Sequence, residues 1–125
     1  MTPAVSLTSA APDLMAAIRS SWSAETTDEW HPDEPSRHQC GVTALVVQDH
    51  LGGIIVRNKF GDRTVYFNVL DDGTQVFHDD IYAAITRKYP DQEQTRGQVM
   101  THPDMPGRYA TLAARVAREL DIRRA

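Results

Sequence analysis

Pro35-Ser36-Arg37-His38-Gln39-Cys40-Gly41-Val42-Thr43-Ala44-Leu45-Val46-Val47-Gln48-Asp49-His50-Leu51-Gly52-Gly53 is the stretch around which the chain is organised. A polar run leads into Cys40, an apolar segment follows to Leu51, and a glycine pair ends it. The spacing predicts a helix over 40–51, apolar nearly all round and therefore buried on several sides. Gly52-Gly53 supplies a left-handed stop. Cys40, the single cysteine, falls at the helix start, where unpaired N–H groups and a partial positive charge favour a thiolate over a thiol. That is a setting for a nucleophile. A cysteine that only fills space in the core is the alternative.

The elements downstream suit such a helix. Ile54 to Arg57 reads as a strand, and Gly61-Asp62 as a turn. Thr64 to Leu70 is a second strand rich in β-branched and aromatic residues. Asp71-Asp72-Gly73 is a hairpin turn, and Thr74 to His78 is the return strand. The fold class expected is α+β: a helix-start Cys on a buried central helix, packed against a three-stranded antiparallel sheet with flanking helices. One flanking helix follows Pro12-Asp13 with Leu14, Ile18 and Trp22 on one face. Another runs from Asp79 to about Lys88, and the last from Tyr109 to about Ile122. Residues 90–107 show no period and read as a functional or mobile loop. The 125 residues make one domain, with residues 1–10 expected to fray.

The run Pro-Ser-Arg-x-Gln-Cys-x-Val-Thr-Ala-Leu-Val-Val-Gln-Asp-x-Leu-Gly-Gly over residues 35–53 resembles the YunG-like family of small bacterial proteins. The resemblance extends over roughly residues 30–80. It implies a minimal papain- or transglutaminase-like domain, in which a helix-start Cys faces a His and an Asp on adjacent strands. Cys40 matches the nucleophile. The hairpin departs from the pattern: where the family reads His-Tyr-Trp-Asn, this chain has Val65-Tyr66-Phe67-Asn68. Where it tends to Val-Asp-Leu-Thr, the chain has Val76-Phe77-His78-Asp79. Val65 and Phe77 thus occupy the partner positions. His78 lies one residue beyond the acid's place, a shift that turns a strand side chain to the other face.

The candidate catalytic residues are Cys40 as nucleophile, His78 as base and Gln39 as an amide donor to an oxyanion. His38 and His102 are further bases, and Asn68 or Asp49 could orient a histidine. Trp30, Asn68 and Phe67 are the candidate substrate-binding residues. Trp30 capping the core, and Gln39 merely bonding its loop, are the competing structural readings.

His31-Pro32-Asp33, His102-Pro103-Asp104 and His78-Asp79-Asp80 lack the ligand spacing of a closed metal site, so neither a metal nor a cofactor is expected. A net charge of −4 argues against nucleic acid. The C-terminal arginines Arg115, Arg118, Arg123 and Arg124 suit a helix end. No apolar run reaches membrane-spanning length, and one cysteine makes no internal disulfide, which suits the cytoplasm. The function expected is a small cysteine-dependent acyl-transfer or amide-processing enzyme acting on a small-molecule or peptide substrate. The alternative is a catalytically retired relative that binds a small molecule or a protein. A redox-sensing thiol is a third possibility without a resolving cysteine.

Overall fold

The computed structural model describes residues 4–27, 39–60, 63–78 and 89–124. Their elements, in chain order, are β1 (Ala4–Ser6), α1 (Leu7–Ala10), α2 (Pro12–Ser21), α3 (Cys40–Leu51), β2 (Ile54–Phe60), β3 (Arg63–Val69), β4 (Gln75–Phe77), β5 (Gln92–Gln94), α4 (Arg96–Val99) and α5 (Met105–Arg124).

Helix α3 has the expected bounds, and its lack of a polar face is explained by neighbours on both sides. Val42 and Val46 pack with Leu14 and Ile18 of α2 and with Leu112 and Val116 of α5. Ala44 and Leu45 pack with Ile55 of β2 and Val99 of α4. At its end, the Gly52 N–H donates to the Gln48 carbonyl at 2.9 Å. Gly52 and Gly53 take φ of 75° and 78°, which a side chain resists. At Gly53 a β-carbon would also collide with the Val69 carbonyl. The glycine pair therefore stops the helix and lets the chain pass close over β3.

Strands β2, β3 and β4 form the expected antiparallel meander. Its tight turn has Gly73 at φ 88° and the Thr74 N–H donating to Asp72 Oδ1 at 2.9 Å. The sheet, however, has five strands in the order β1-β4-β3-β2-β5, and it is mixed. This corrects the expectation of three antiparallel strands. β1 runs parallel to β4, so part of the segment expected to fray is an edge strand, and Leu7 after it is fully buried. β5 pairs antiparallel with β2 inside the segment read as a loop. Each added strand has only three residues, too few to show a period of two. The same segment holds α4, closed by a capping box between Thr95 and Gln98. α5 begins at Met105 rather than Tyr109, because Pro106 is tolerated in a first turn. The helix expected over 79–88 lies outside the described residues, apart from which the α+β class holds.

Alternation along the strands divides the sheet into two faces. Ile55, Tyr66 and Val76 meet the helices. Val56, Val65, Phe67 and Phe77 form a separate apolar cluster on the opposite face, with Phe67 and Phe77 stacked at 4.6 Å.

Candidate active site around Cys40

Cys40 opens α3 over the beginning of β3. Gln39, the N-cap, makes no side-chain capping bond, so the first helical N–H groups stay open toward the thiol. The backbone N–H groups of Tyr66, Gly41 and Cys40 itself all favour a thiolate, as does the charge of Arg63. Burial outweighs them: Cys40 is half-buried by surface but deep among protein atoms, and desolvation raises its thiol above the ordinary 9.0. The S–H points to the Thr64 carbonyl, with sulfur and oxygen 3.9 Å apart. At neutral pH the group is a thiol, and a reaction at sulfur requires a base to remove its proton.

His78 lies on the helix-covered face. Val76 of β4 belongs to the core under the helices, and His78 lies two residues beyond it, just past the strand's end at Phe77. The His78 ring meets the Trp22 ring edge-on, with centroids 6.0 Å apart. Trp22 Nε1 in turn donates to Thr43 Oγ1 at 3.0 Å, one helical turn after Cys40. The structure thus brings Cys40 and His78 to one layer, with Trp22 and Thr43 as the physical link. Val65 and Phe77, the positions of the partners implied by the resemblance, face away into the other layer.

Gln39 is fully buried. The Thr26 hydroxyl donates to its Oε1 at 2.8 Å, leaving Nε2 as a buried donor with no partner among the described residues. Such a donor is costly unless something accepts from it.

The remaining sequence candidates divide differently. Phe67 is buried against Phe77 on the opposite face, so it has no surface toward the thiol and its role is packing. Asn68 is on the helix side, but its Nδ2 donates to the Ala44 carbonyl at 3.0 Å. It anchors β3 to α3. Asp49 accepts from the Tyr109 hydroxyl and pairs with Arg96 at 3.1 Å, at the far end of α3 from Cys40. His102 lines a groove with Tyr66 and Met105, and Met105 reaches to Gly41. Trp30 and His38 lie outside the described residues.

Trp22, Thr26, Thr43 and Tyr66 were not singled out from sequence as site residues. Trp22 carries only the signal of a core stripe, and the partnerships of all four are long-range. No group of three or more His, Cys, Asp or Glu among the described residues is arranged to hold a metal ion. No helix among them is long and apolar enough to cross a membrane.

Over 54 residues the chain is 39% identical to the Uncharacterized protein YunG of Bacillus subtilis (strain 168), a match covering 43% of this chain and 47% of that protein. The matched region thus spans about half the length of the curated relative. No solved structure matches. The model of the YunG protein family matches residues 10–121; on that extent, the chain belongs to the YunG protein family.

Proposed function

We propose that the chain is a small cysteine-dependent acyl-transfer or amide-processing enzyme with a papain-like arrangement in altered form. It acts in the cytoplasm on a small-molecule or peptide substrate and needs no cofactor. Cys40 is the nucleophile, His78 the base and Gln39 a donor to the oxyanion. The observation that carries this reading is the ring contact between His78 and Trp22, which ties the histidine to the layer of the Cys40 helix.

The chemistry follows from the groups. His78 removes the thiol proton as sulfur bonds to the acyl carbon, and the carbonyl electrons move onto oxygen. The N–H groups at the helix start and Gln39 Nε2 stabilise that oxyanion. Its collapse breaks the bond to the leaving amine or alcohol, which takes the proton from His78. Water or a second amine then cleaves the thioester. Because the resting sulfur is protonated, removal of the base slows acylation by about 10²-fold or more.

The test is acylation by p-nitrophenyl acetate, followed by intact mass. The native protein should gain one acetyl group at Cys40. Cys40→Ser should gain none at that position, and His78→Ala should react much more slowly. A native protein that reacts only after unfolding overturns the enzyme reading. The raised Cys40 thiol favours a second reading, a retired enzyme serving as a binding module, and that result would support it.

A further inference from the structure

Two hollows flank the start of β3, and both contain Arg57 and Gln92. The larger, of about 640 Å³, is bounded by Tyr66, Gln94, Gln98, His102 and Met105. The smaller, of about 380 Å³, is bounded by Lys59, Thr64, Tyr89 and Pro90. Each reaches a residue whose backbone touches the thiol: Tyr66 through its N–H in the larger, Thr64 through its carbonyl in the smaller. Arg57 and Gln92 line both, so the two hollows adjoin along the β2–β5 edge, beside the residues whose backbone touches the Cys40 thiol.

Arg57 stands where the hollows join. It is half-buried, and its Nη2 donates to Gln92 Oε1 at 2.9 Å. That bond orients the guanidinium and leaves its other donors open. Neither Arg57 nor Lys59 forms an ion pair with a described residue. They lie two residues apart on one strand and therefore on the same face. Glu93 borders the larger hollow too, but it pairs with Val56, whose side chain belongs to the opposite face. The rest of the polar lining is amide, hydroxyl and imidazole. A planar guanidinium held by one neutral partner, with no ion pair to a described residue, is suited to a carboxylate, which it binds through two parallel hydrogen bonds.

We propose that these adjoining hollows are a substrate subsite and that Arg57 selects substrates carrying a free carboxylate a few bonds from the acyl group. The inference rests on Cys40 being the nucleophile. The amide side chains Gln92, Gln94 and Gln98 then meet the peptide-like portion between the reacting carbon and the carboxylate, and Lys59 adds positive potential at the smaller hollow.

The experiment uses two reagents of equal length and reactivity, N-bromoacetyl-glycylglycine and its C-terminal amide. In either reaction Cys40 sulfur bonds to the bromomethyl carbon, bromide leaves, and the thiol proton passes to the base. The acid should label Cys40 about tenfold faster than the amide, since one good charge-assisted interaction is worth at least that factor. Arg57→Gln should abolish the preference by bringing the acid down to the amide's rate, and Arg63→Gln should retain the preference. Equal rates in the native protein, or a preference that survives Arg57→Gln, overturn the assignment.

A second measurement separates failure of the subsite from failure of the nucleophile. In Cys40→Ser protein, triglycine should shift the NMR signals of the Arg57 side chain and Gln92, and triglycinamide should not. If neither reagent labels native Cys40 but triglycine shifts those signals, the nucleophile reading fails and the carboxylate site stands. If triglycine shifts nothing, the site is overturned whatever the labelling shows.

Discussion

The two faces of the sheet are made by alternating residues of the same strands, yet they do different work. The face under α3 carries polar groups at defined places: Tyr66 beside the thiol, Asn68 bonded to the helix backbone, His78 against Trp22. The other face, from Val56 through Val65 and Phe67 to Phe77, is apolar and closely packed. The histidine and the acid implied by the family resemblance fall at Val65 and Phe77, both in that apolar cluster. The difference shows how much a single residue of register decides in a strand. His78, one position past the expected acid, is the group that meets Trp22 on the side of the Cys40 helix.

Changes on the two faces should therefore separate stability from chemistry. The largest effect is expected from Phe67→Ala, which empties the centre of the apolar cluster. It should cost about 3–5 kcal/mol, read from urea unfolding, with the acylation rate of the remaining folded protein unchanged. A loss of acylation at constant folded fraction would break the division between faces. Next is Val65→His, which restores the family's histidine at a position 1% exposed. It should cost about 2 kcal/mol or more through a buried polar group and bring no gain in acylation. A faster reaction would mean that this face communicates with the thiol after all.

The smallest effect is the pH dependence of stability. Burial raises the Cys40 thiol from 9.0, and the bond to Asp49 raises the Tyr109 hydroxyl from 10.0. In both cases the folded protein holds a proton that the unfolded chain releases more readily. The stabilisation is thus complete below the ordinary value of each group and is lost as pH rises through and above it. Urea midpoints should fall from about pH 9 upward. Cys40→Ala should remove the lower part of that fall and leave the tyrosine's. An unchanged profile in Cys40→Ala would place the thiol in water rather than in the protein.

Much of the scaffold was legible from residue order. The α3 helix, its glycine stop, the β2–β3–β4 meander and the apolar stripes of α2 and α5 all depend on contacts within a few residues, so their patterns are local. The capping box of α4 was also present in the sequence, as Thr95 followed three residues later by Gln98, but it was obscured by the surrounding prolines and glycines. β1 and β5 were not readable, because a three-residue edge strand is defined by its partner. Of the candidate site, the position of Cys40 at a helix start was legible, whereas the burial of Gln39 and the contact of His78 with Trp22 were not. The packing of Phe67 on Phe77 and the bond from Asn68 to the Ala44 carbonyl were not readable, because both depend on pairing between distant segments.

The sequence by itself determined that Cys40 begins a helix, that this helix must be buried, and that His78 and Phe77 point to opposite sides of a strand. Those follow from helical and strand periodicity, which are properties of the local chain. Only the tertiary structure decided which of those sides lies under the helix, that Trp22 and Thr43 connect His78 to it, and that Arg57 lines two hollows with no ion pair to a described residue. These depend on pairing between distant segments, where packing and desolvation arise only once the layers are assembled.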